Sequence, residues 1–298
     1  SLSPFPPSLS LSLPPLARTV AEFPEDDAKR AAEQLKGIIH DTDGATAQAN
    51  LASRLFDSQR GIVRFLDATT DPTNSQDRSK CREHVLKGLA DFVHRAGSRC
   101  EENAAEIFLT CLKVFKVDQT NSVKQAALEP MREILQHRFP RLQEAMRAKS
   151  LEHEMEKMMA WMIKDFKIGK KSTHTQTLKG NMLELLGVWA QSYPHVVHND
   201  DYSAVTELKQ LCMNTLQTQY EQWDRSHRHG GTDPDWLLMY GAISLLSGLC
   251  TVHRLAVAAQ RPFAFRLDHK ELFKWFAYTL ARCAFSSCLA STVLMKSA

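Results

Sequence analysis

Five lysines, Lys164, Lys167, Lys170, Lys171 and Lys179, gather in the stretch IKDFKIGKKSTHTQTLKG around a predicted helix-to-helix loop near Gly169. Lysines on a loop can neutralise nucleic-acid phosphates without reading bases, and engaging about three would give a log-log salt slope of roughly −2.7. The bland alternative is a solvated connection between helices. A second basic element, WDRSHRHGGTD, carries Arg225, His227, Arg228 and His229 in what reads as a loop kept mobile by two glycines. Arg225 and Arg228 therefore join the lysines as candidate nucleic-acid contacts. His227 and His229 lie close together, but no cysteine or carboxylate at a recognised ligand spacing accompanies them, so no metal is expected. His195 and His198, which follow Pro194, read as surface histidines on the same argument.

Catalytic chemistry finds no support in the motifs. A hydrolase needs a nucleophile, a base and an orienting group, and neither a nucleophile-elbow glycine pattern nor a zinc-protease helix motif brings such residues together. HEMEK at 153–157 lacks the second histidine. Met155, Met158, Met159, Met162 and Trp161 could suggest an adaptable groove, yet at helical spacing they read as packing. No cofactor and no small-molecule substrate is expected.

These residues must be held by something, and the composition bounds what. Thirty-seven Lys and Arg against 34 Asp and Glu give a net charge of +3, so any basic site must be local rather than a property of the whole chain. Seven cysteines (Cys81, Cys100, Cys111, Cys212, Cys250, Cys283 and Cys288) lack paired spacing and sit mostly on apolar faces, which suits reduced core thiols. The longest apolar stretch, 237–250, is interrupted by polar and glycine positions, so no membrane span is expected. The opening SLSPFPPSLSLSLPPLA lacks the basic start of a secretory signal, and the missing initiator Met suggests a fragment or an incomplete gene model.

Residues 1–18 form a low-complexity Ser/Leu/Pro tail in which five prolines exclude a regular helix. From there to about 290 the pattern is helical, with 291–298 as a disordered or truncated end. Apolar residues recur at intervals of three and four, broken by turn residues. One stripe runs Cys81, Val85, Leu86, Leu89, Phe92, Val93 and stops at Gly97; the next holds Ile107, Phe108, Cys111, Leu112, Val114 and Phe115. Further helices are predicted over 123–139, 151–166, 175–193, 204–220, 235–257 and 270–283, with Pro130 expected to bend or split the first of them. Strand patterns are missing. The spacing of the helix pairs is near the HEAT and armadillo range. The predicted fold is therefore all-α, an irregular HEAT/armadillo-like α-solenoid in which each pair leans on its neighbours and leaves a curved surface for partners.

Within this pattern SKCREHVLKGLADFVHRAG followed by AAEIFLTCLKVF resembles the early N-terminal repeats of the DNA-dependent protein kinase catalytic subunit family. NMLELLGVWAQSYPHVVHND, YGAISLLSGLC and DHKELFKWFAYTL follow in the family's order, and LASRLFDSQRGIVRFLD resembles the helix that precedes the Cys-Arg-Glu segment. The resemblance covers about 45–280 and fails beyond about 282. It implies a nuclear scaffold of non-homologous end joining that helps hold double-stranded DNA ends presented by the Ku heterodimer, as part of a larger kinase chain. The kinase itself has no counterpart here: Asp165-Phe166-Lys167 lacks the glycine of Asp-Phe-Gly, and neither a Gly-rich phosphate loop nor a His-Arg-Asp loop is present. The alternative is a generic HEAT-repeat protein-protein interaction scaffold unrelated to DNA repair.

Overall fold

A computed structural model of the chain describes residues 62–70, 78–142, 144, 176–194, 203–229, 235–258 and 270. Its principal helices are α1 (Ile62–Thr70), α2 (Ser79–Ala96), α3 (Ala104–Val117), α4 (Asn121–His137), α5 (Gln176–Ser192), α6 (Ser203–His229) and α7 (Trp236–Ala258). A 3-10 turn, Gly97–Cys100, joins α2 to α3, and no strand occurs among the described residues. The all-α fold is as the periodicity predicts. Predicted helices over 151–166 and 270–283 lie outside the described residues, apart from Lys270.

The apolar stripes become the core as their spacing requires. In α2, Cys81, Val85, Leu86, Leu89, Phe92 and Val93 are all buried, because residues three and four apart share a face. Gly97 then ends the helix with φ +53°, a left-handed conformation that glycine adopts without strain, and its N–H donates to the Val93 carbonyl.

Contacts between helices fix their directions. His94 at the end of α2 meets Glu133 near the end of α4 at 3.1 Å, and Gly97 faces His137. Arg132 of α4 reaches Glu184 of α5 at 3.1 Å, and Arg138 just past α4 acts on Tyr193 just past α5. On α5, Gly180 abuts Leu237 of α7, while Gln191 donates to Ser247 at 3.1 Å. Residue numbers rise together in each pair, so α2, α4, α5 and α7 form one row of parallel helices. The second layer runs the other way: α3 reverses into α4 through 118–120, and α6 lies antiparallel to α7, with Cys212 beside Ala242 and Gln219 beside Asp235. Within that layer α1 packs against α3. The geometry is that of a helical-repeat stack, in which successive elements bury one another's apolar stripes.

The α5–α7 seam is unusually close. Gly180 and Gly187 stand seven residues apart on α5, as Gly241 and Gly248 do on α7. A Cβ built at Gly180 would lie 2.7 Å from the Leu237 carbonyl carbon and oxygen, and one at Gly248 would lie 2.5 Å from the Gly187 oxygen. Only glycine lets the two backbones touch at both levels. Next to this seam Trp189 is fully buried, edge-on to Phe108 of α3 with ring centroids 5.5 Å apart.

Two expectations need correction. Pro130, expected to bend or split its helix, does not split α4, which runs unbroken from Asn121 to His137. Ala126, Ala127, Leu128, Met131, Ile134 and Leu135 are buried around the proline, and that apolar face holds the helix where one backbone donor is lost. The segment 221–229 is the last part of α6, not a loop. Gln217 donates to Glu221 one turn on at 2.6 Å, Tyr220 packs against Trp223, and no glycine intervenes until Gly230. As predicted over 235–257, α7 runs from Trp236 to Ala258. At 23 residues it is long and apolar enough, by length and composition only, to cross a bilayer. Leu245, Leu246, Leu249 and Val252 instead serve the core shared with α5 and α6.

Candidate nucleic-acid interface

Of the residues singled out in the sequence, Lys164, Lys167, Lys170 and Lys171 lie outside the described residues. Lys179 is the fourth residue of α5 and is half-buried. Arg225 and Arg228 belong to α6; Arg225 is exposed and its Nε donates to the Glu221 carbonyl at 3.1 Å. Because α6 is antiparallel to α7, its C-terminal turns lie toward the α7 N-terminus. Gly180, next to Lys179, abuts the α7 backbone at Leu237. Lys179 and Arg225 thus approach the same edge of the row, the one formed by the N-terminal ends of the parallel helices.

That edge has an uncommon charge pattern. None of α2, α4, α5 or α7 carries a carboxylate in its first turn, the position where the positive end of a helix dipole favours one. Lys80 stands there in α2 and is exposed, while Lys124 and Lys179, at the fourth residue of α4 and α5, are buried and half-buried. Where an acid does cap, at α7, Asp235 Oδ1 accepts the Leu238 N–H at 3.0 Å, and the Asp235 N–H donates to Gln219 Oε1 at 2.7 Å.

A buried ion pair organises the α1–α4 end of this edge. Arg82 Nε donates to Asp118 Oδ2 at 2.6 Å and its Nη1 to the Thr69 carbonyl at 2.7 Å, with the Asp118 side chain 1% exposed. Asp118 Oδ1 also accepts the Thr120 N–H at 2.8 Å. One arginine thereby ties the end of α1 and the start of α2 to the α3–α4 turn. Beside it, Lys124 lies over the Phe115 ring, 5.9 Å from its centroid. Burial opposes ionisation of Glu83, but hydrogen bonds from Lys87 and Ser122, with the Lys87 and His84 charges, outweigh it and hold the carboxyl below its ordinary range.

The cysteines serve packing. Cys81, Cys100, Cys111 and Cys212 are buried free thiols, and Cys250 is half-buried. Burial pushes Cys100 up to about 12 and raises Cys111; for Cys212, burial and then the nearby Cys250 push the thiol up to about 12. Thiols held protonated in this way are poor nucleophiles. Among the described residues no group of three or more His, Cys, Asp or Glu is placed to hold a metal ion.

Fold and edge together define a helical-repeat scaffold with a lysine-bearing rim. Residues 49–244 match the family described as DNA-PKcs, N-terminal, and the chain belongs to that family. It is 27% identical over 143 residues to the DNA-dependent protein kinase catalytic subunit of Dictyostelium discoideum, a match covering 48% of this chain and 3% of the relative. Against the protein of the same name from Gallus gallus it is 27% identical over 173 residues, covering 56% of this chain and 4% of the relative. The match thus joins this chain to the N-terminal part of a protein kinase and takes in only a few per cent of the relatives' length.

Sequence reasoning missed the Arg82–Asp118 tie and the glycine seam. The first joins residues 36 apart and leaves no local signature. The second had one, since the same seven-residue glycine spacing occurs in GNMLELLG and GAISLLSG.

Proposed function

We propose that this chain is a non-catalytic N-terminal scaffold that holds double-stranded DNA ends in non-homologous end joining, working in the nucleus with the Ku heterodimer and a larger kinase chain. The observation that carries this reading is family membership over residues 49–244 together with a lysine-lined edge on the helical stack. The relatives' printed name ties them to DNA. Distributed lysines without a base-reading motif fit contact with the phosphate backbone, which positions a duplex without reading its sequence.

Fluorescence anisotropy of a labelled blunt duplex titrated with the 298-residue chain, with and without Ku, tests this. Binding that weakens steeply with salt is expected, and Ku should strengthen it. No binding at 50 mM salt in either arm would refute a direct DNA role.

A further inference from the structure

A second gathering of cations among the described residues is not one that the sequence advertises. Segments 78–83 and 113–124 converge on the Arg82–Asp118 pair, and Glu83 is held near Ser122 across α2 and α4. These segments carry Arg78, Lys80, Arg82, Lys113, Lys116 and Lys124 beside Glu83 and Asp118, with Arg78, Arg82 and Lys124 buried. Asp118 is buried against Arg82, and Glu83 is engaged by Lys87 and Ser122, so neither carboxylate turns its full charge outward. Lys80, Lys113 and Lys116 are exposed. In a chain of net charge +3, much of the positive excess is concentrated here.

We propose that this junction of the α2 start, the α3 end and the α3–α4 turn is a seat for the sugar-phosphate backbone of duplex DNA. The inference rests on the DNA reading above and places the contact on residues that reading did not name. Two features favour a phosphodiester over an acidic protein segment. The surface between the lysines is Gln119, Thr120, Asn121 and Ser122, side chains that hydrogen-bond phosphate oxygens, with no exposed aromatic among them. Protein interfaces are instead depleted of lysine at their centres and built around aromatic anchors. The Arg82 tie gives the seat a fixed floor, so the lysines present their charge from a rigid platform.

The test is the triple variant Lys80→Gln, Lys113→Gln, Lys116→Gln in the full chain, with anisotropy on a blunt duplex from 50 to 200 mM salt. These side chains are exposed, and an unchanged melting temperature confirms the fold. Against wild type, the log-log salt slope should become shallower by about 2.7, and affinity at 50 mM salt should fall roughly a thousandfold. The control Arg95→Gln, Arg99→Gln, Arg138→Gln, with all three exposed at the opposite edge, should leave the slope unchanged. If wild type binds DNA and the lysine triple binds equally well, or if both triples lose equally, the seat is wrong while DNA binding stands. Should wild type bind poly-glutamate but not DNA, and the lysine triple lose that binding, the partner is an acidic protein and the assignment to DNA is overturned.

Discussion

The α1–α4 end and the α5–α7 end of the molecule reach the same parallel arrangement by opposite means. In the first, a charged side chain is the fastener: Arg82 gathers the α1 carbonyl at Thr69 and the carboxylate of Asp118 in a setting almost free of water. In the second, the fastener is the lack of a side chain, since four glycines let α5 and α7 touch backbone to backbone. A polar tie fails when one partner is removed and the other is left buried and charged. A glycine seam fails when anything is added. The difference also bears on roles, because the polar end carries the proposed lysine seat whereas the glycine end is a packing joint.

Breaking the polar end should have the larger effect. Arg82→Met leaves Asp118 buried without its guanidinium and should destabilise the chain by about 3–5 kcal/mol in urea unfolding. Adding Asp118→Leu should recover at least half of that loss, since removing both charges is milder than stranding one. No recovery would mean that Arg82 acts mainly through Thr69. At the glycine end, Gly187→Ala places a methyl group against the Ser244 backbone and should cost about 1–3 kcal/mol. A silent substitution would show that the seam is looser than described. Gly97→Ala, where the obstacle is φ +53° rather than crowding, should cost about 1 kcal/mol.

The effect that is absent at neutral pH is one of alkali. Cys100 and Cys212 are raised from 9.0 to about 12 in the fold, so they are neutral where an unfolded chain would already ionise. Their contribution is complete below pH 9 and is lost as pH climbs toward 12. Melting temperature should therefore decline over that alkaline window, and less steeply in a Cys100→Ala, Cys212→Ala variant. Identical profiles would remove the thiols from the explanation.

Much of this architecture was legible in the spacing of apolar residues. Predicted helices over 175–193 and 235–257 correspond to Gln176–Ser192 and Trp236–Ala258, because long amphipathic runs bounded by turn residues leave few alternatives. The end of α6 was not legible. Arg225-Ser226-His227-Arg228-His229 reads as a loop by composition, and the contacts of Tyr220, Trp223 and Glu221 outweigh that weak preference. The proposed seat was hidden for another reason: Lys80 and Lys116 are far apart in sequence and their segments converge through the Arg82–Asp118 tie, whereas Lys164 to Lys171 form a visible local run. Charge density along a chain is a poor guide to charge density on a surface.

Hydrogen exchange of the full chain with and without a blunt duplex tests most directly whether the lysine-bearing, polar-tied end is the working face. Added protection at 79–83 and 113–124, with none at 94–99 or 137–141, is the predicted result. Protection confined to the opposite edge, or no change at saturating duplex, would contradict it.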